Sequence, residues 1–163
     1  AREALEDASR RVRSMKVLYE RIYQSPIFGS MSIRDYLGSL AEGIIADFPN
    51  RGIVALSMEV EDFPLESRIL LPLGIMVNEL LTNAMKYAFL GRSTGRILVT
   101  ASLEGTQVRL GIEDDGVGIP EGVDFGASGG FGLMLVRELT RQLQGTIRLE
   151  RGQGTKVELV FGA

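Results

Sequence analysis

The sequence predicts an α+β domain: a two-layer α/β sandwich with a mixed sheet of about five strands, covered on one face by three helices, plus an N-terminal stalk helix. Three observations lead there. Beyond residue 25 the pattern runs helix, strand, helix, two strands, a glycine-dense loop, helix and two strands. Strands that follow one another through short turns pair antiparallel, and helices with a single apolar stripe must bury it on one sheet face. At 163 residues, with 45% hydrophobic and 24% charged residues, the chain has the size and composition of one domain with a real core.

The same totals exclude several functions. A net charge of -3 and a pI near 5.1 give no basic footprint, so no nucleic-acid partner is expected. The sequence has no cysteine and no histidine, which removes disulfides, thiolate and imidazole metal sites, and Ser-His or Cys-His catalysis. Its most apolar run, Ile69 to Val77, contains Pro72 and falls far short of the ~18 residues of a membrane span. No signal peptide appears, and this domain is expected to be cytoplasmic, with the full-length protein either soluble or membrane-tethered. Ala1 falls inside a helical pattern, and the chain reads as a piece of something longer.

Taken in order, Leu5, Ala8, Val12, Met15, Tyr19 and Ile22 make a narrow seam at alternating spacings of three and four. This predicts a stalk helix over residues 1–25, half of a helical hairpin or dimer, with the second domain at 26–163. Ser25, Pro26, Gly29 and Ser30 form a connector. Ser32 reads as the N-cap of a helix to Asp47, with Asp35 at the third position of a near-capping box. Ile53 to Val60 alternates as a strand. Pro72 to Phe89 is the organising helix, with Leu73, Val77, Leu80, Leu81, Ala84 and Ala88 as its stripe. Strands at Arg96–Leu103 and Gln107–Asp114 flank a turn at Glu104-Gly105. Seven of the 20 glycines lie between Gly116 and Gly132 and preclude regular structure there. A helix over Phe131–Leu143 and strands at Thr146–Glu150 and Lys156–Phe161 close the chain.

Chemistry gathers in three places. On the organising helix Glu79, Asn83, Lys86 and Tyr87 fall at i, i+4, i+7 and i+8, a column able to serve a metal, a phosphate and a ring. Such columns are also ordinary boundary positions. Asp114-Asp115-Gly116-Val117-Gly118 sets an acid at a strand end before a Gly-x-Gly turn that a flat ligand can approach closely. A carboxylate accepts from the amino group of adenine and repels the carbonyl of guanine. Alone, the motif is more often a bare turn. Gly129-Gly130-Phe131-Gly132-Leu133 opens a helix and exposes backbone N–H groups to phosphate, without the spacing of a Walker or Rossmann loop.

In order, NELLTNAMKY, DDGVGIP, GGFGLMLV and GQGT resemble the ATP-binding domain shared by sensor histidine kinases and gyrase-type ATPases, over about Ser32 to Phe161. RRVRSMKVLYERIYQS before MSIRDYLGSLAEGII resembles the second dimerisation helix and linker of one histidine kinase subfamily. The resemblance implies a Bergerat-type fold, ATP and Mg²⁺ as ligands, and a homodimer through the N-terminal helix. It also implies transfer of the γ-phosphoryl group to a histidine on a helix missing from this chain, then to a response regulator. By the resemblance Asn83 holds Mg²⁺, Lys86 contacts phosphate and Tyr87 lies near the base or sugar. Glu79 would orient or deprotonate the attacking imidazole. Asp115 would take the adenine amino group with Thr155 in support, Gly116 and Gly118 would shape the base pocket, and Gly130, Phe131, Gly132 and Leu133 would close over the phosphates. Two departures stand out: no Lys or Arg occurs between Gly118 and Gly130, and Phe125 is the one stand-in for a phenylalanine-rich motif. An anti-sigma-factor-type serine kinase and a non-catalytic nucleotide-binding or docking module on the same fold are the alternatives.

Overall fold

In the computed structural model, residues 30–126 and 129–163 are described, together with Leu5, Ala8, Ser9, Val12, Lys16 and Glu20. Those six are helical, and Lys16 pairs with Glu20 one turn on at 3.7 Å. Leu5 and Val12 of the expected seam are exposed. Met15, Tyr19, Ile22 and the connector through Gly29 lie outside the described residues.

The first strand, β1 (Ser30–Ser32), pairs antiparallel with β3 (Pro64–Glu66) in a small separate sheet. Between them come α1 (Ile33–Ala46), a 3-10 turn (Arg51–Ile53) and β2 (Val54–Val60). Neither short strand was legible: three residues are too few to show an alternation. Ser32 does cap α1, accepting from the Asp35 backbone N–H at 3.2 Å, and its hydroxyl donates to Asp62 at 2.6 Å.

The organising helix, α2 (Ser67–Asn83), starts earlier than the sequence indicated and carries Pro72 inside it. It ends differently too, passing into a π-helical turn over Ala84–Ala88. Then follow β4 (Gly95–Glu104), β5 (Gln107–Asp114), α3 (Gly130–Gln142), β6 (Thr146–Gly152) and β7 (Gly154–Gly162). The β4–β5 loop is Gly105-Thr106, and Gly105 takes a φ of 64°. Glycine at the first loop position matches the twist of a two-residue hairpin.

The main sheet runs β2-β4-β5-β7-β6. β2 and β4 are parallel and every other neighbour is antiparallel, so the sheet is mixed as expected. Period-two alternation sends Ile97, Val99, Ala101, Val108, Leu110, Ile112, Val157, Leu159 and Phe161 into the core with the stripes of the three helices. The opposite face is charged: Arg109 bridges Glu158 at 2.9 Å and Lys156 meets Glu150 at 3.7 Å. Inside the helical layer the buried Tyr36 hydroxyl donates to the Leu70 carbonyl at 2.6 Å, and burial pushes its phenol well above the usual range. Thr140 of α3 rests on Met76 of α2 at 3.4 Å.

Candidate functional site

The C-terminal end of α2 is where the site is assembled. Carbonyls in a last helical turn have no partner within the helix. Here they are taken up from elsewhere: Met85 accepts from Asn50 Nδ2 at 2.9 Å, Ala88 from the Val117 N–H at 2.9 Å, and Phe89 from the Arg92 N–H at 3.1 Å. The Val117 bond fastens the glycine turn after β5 onto the helix. Gly116 makes this possible, because a Cβ there would stand 2.3 Å from the Ala88 carbonyl oxygen. The organising helix and the acidic strand end therefore meet.

A third element joins them. The β6–β7 turn lies against the end of β5, and a Cβ on Gly154 (φ 102°) would fall 1.9 Å from the Asp114 carbonyl oxygen. Gly118 lies beside the Gly154 carbonyl. Thr155 is the register partner of Asp114, is buried, and gives its backbone N–H to the Asp114 carboxylate.

The two adjacent aspartates separate here. Strand parity puts Asp114 on the same face as Val108, Leu110 and Ile112, towards the helices, and buries it. Its Oδ1 accepts from the Gly116 N–H at 2.9 Å. Burial raises its pKa above the usual carboxylate range, against the lowering effect of the N–H groups of Gly116 and Thr155. Asp115 is turned elsewhere: its Oδ1 accepts from the Arg96 backbone N–H at 2.7 Å, and its carbonyl accepts from Arg92 at 2.7 Å. Counting in twos from Val108 reaches Asp114, the inward-facing one of the pair.

Glu79 of α2 is fully buried, and Asn83 at its end and Lys86 in the π turn are half-buried. The π turn winds more widely than an α-helix, so Lys86 and Tyr87 leave the uniform column, and Tyr87 is 58% exposed. No group of three or more Asp or Glu able to hold a metal exists among the described residues.

Gly130, Phe131, Gly132 and Leu133 form the first turn of α3. Gly130 and Phe131 are exposed, whereas Gly132 and Leu133 are buried. The segment leading there is fixed at its start by Arg151 of β6, which donates to the Val123 carbonyl. Phe125 is half-buried against the core. Ala127 and Ser128 lie outside the described residues. Arg92, Arg151 and Asn50 carried no sequence signal, since each acts on a residue remote in the chain.

This fold and site define a class. Residues 70–162 match the family model described as histidine kinase-, DNA gyrase B-, and HSP90-like ATPase, and the chain belongs to that ATP-binding family. Residues 1–48 match a second model, described as histidine kinase. Among individual proteins, the chain is 34% identical over 164 residues to Blue-light-activated histidine kinase 2 of Erythrobacter litoralis, covering 93% of this chain and 45% of that protein. It is 28% identical over 173 residues to the sensor histidine kinase PdtaS of Mycobacterium tuberculosis, covering 97% of this chain and 32% of that protein. The chain thus spans less than half the length of either relative. The solved histidine kinase domain of an Erythrobacter litoralis blue-light-activated kinase superposes with a TM-score of 0.82 at 29% identity, over 94% of this chain and 73% of that one.

Proposed function

We propose that this chain is the catalytic ATP-binding part of a two-component sensor histidine kinase. The observation that carries the reading is the junction of three elements: the Asp114 carboxylate, the Val117–Ala88 hydrogen bond and the Gly154 turn surround one place. Adenine enters there. Asp114, in place of Asp115, accepts from its amino group, with Thr155 beside it, and Gly116 and Gly118 let the flat base approach the backbone. Tyr87 lies at the base or sugar, and Lys86 neutralises phosphate charge. The first turn of α3, Gly130 to Leu133, turns its N–H groups toward the phosphate tail.

Asn83 offers an amide oxygen, a donor that suits Mg²⁺, and the ion when bound would neutralise phosphate charge. The chain contains no histidine, so a histidine acceptor lies outside it. The match of residues 1–48 to a histidine kinase model favours that acceptor over a serine. The N-terminal helix pairs with a second copy, and a response regulator receives the phosphoryl group. Burial of Glu79 favours an orienting role over direct proton removal from an incoming imidazole.

Autophosphorylation of the full-length protein tests this role. Glu79→Gln should lower the rate at least about tenfold with ATP affinity within about threefold of wild type. An unchanged rate removes Glu79 from the reaction. For the whole reading, calorimetry with a non-hydrolysable ATP analogue and Mg²⁺ should show one site per chain, and absence of binding would defeat it.

A further inference from the structure

We propose that Asn50 is a positioning residue for the phosphate end of the site, acting through the Met85 carbonyl on Lys86. It stands in the connection between α1 and β2, and its Nδ2 donates to that carbonyl at 2.9 Å. Met85 lies inside the π turn, where the backbone departs from the regular ladder. The Met85–Lys86 peptide is a rigid plane that holds the Met85 oxygen and the Lys86 Cα together. Fixing the oxygen therefore fixes the point from which the Lys86 side chain sets out.

The amide is committed to this one bond. Its Oδ1 is the buried side-chain polar atom left without a hydrogen bond among the described residues. Turning the amide over would face that oxygen toward the Met85 carbonyl oxygen, so only one orientation is open to it.

The inference rests on the reading of Lys86 as a phosphate contact, and the experiment separates the two. Calorimetric affinities for Mg·ADP and for adenosine are measured on wild type, Asn50→Ala, Lys86→Ala and the double variant. Asn50→Ala should weaken Mg·ADP by about three- to tenfold and leave adenosine within about twofold. In the Lys86→Ala background the Asn50 change should add less than about twofold, because both act on one contact. Equal weakening of both ligands, additive losses, or an Asn50→Ala variant that binds normally would overturn it. Lys86→Ala without effect would overturn the Lys86 reading and this inference with it, while adenosine binding would still stand for the base pocket. If Asn50→Ala does not unfold cooperatively, Asn50→Ser, whose hydroxyl is too short to reach Met85, takes its place with the same expectations.

Discussion

Asp114 and Asp115 are adjacent and chemically identical, yet the fold gives them opposite tasks. Asp114 ends an alternating strand on its buried side, and Asp115 begins the turn and braces Arg96 and Arg92. A buried carboxylate with a raised pKa holds its proton more tightly folded than unfolded. Its charge therefore subtracts from stability at neutral pH, and acidification through the folded pKa relieves that cost. Wild type should accordingly gain stability relative to Asp114→Asn on going from neutral to mildly acidic pH. Urea unfolding of both at the two conditions measures this, and a constant difference would contradict it.

At the scale of elements, the end of α2 is held by donors from three directions, and the glycine turn after β5 depends on contact with Ala88. Gly116→Ala forces the turn off the helix and should cost about 1–3 kcal/mol, with a loss of ATP affinity larger than that stability change explains. In α1, Tyr36→Phe removes a bond to a carbonyl far from the site, so it should cost about 1 kcal/mol and leave ATP affinity unchanged. Denaturant midpoints and calorimetry check the pair. Helices with apolar stripes, the cap at Ser32 and the β4–β5 hairpin were legible because each is written in local spacing. The π turn, the two short strands and the reach of Arg151 to Val123 were not, since they depend on contacts between distant residues. The site was readable as four motifs in order. Which aspartate faced inward depended on parity, and the burial of Glu79 depended on packing.

For the whole molecule, the helices cover one face of the mixed sheet, and the proposed nucleotide site lies on that side. Binding there joins α2, the turn after β5 and the β6–β7 turn, so ligand energy should appear as global stability. At Mg·ATP a hundredfold above its Kd, linkage adds about 2.7 kcal/mol, or about 5–10 °C in Tm for a domain of this size. A thermal scan with and without nucleotide reads it, and an unchanged Tm would mean that the bound region is not part of the cooperative unit. The most direct measurement is calorimetric titration of wild type, Asp114→Ala and Asp115→Asn with Mg·ATP and Mg·GTP. The expected result is ATP binding at least about tenfold tighter than GTP, lost in Asp114→Ala and kept within about threefold in Asp115→Asn. Equal affinity for the two nucleotides, or loss in Asp115→Asn with Asp114→Ala intact, would contradict a purine held at Asp114.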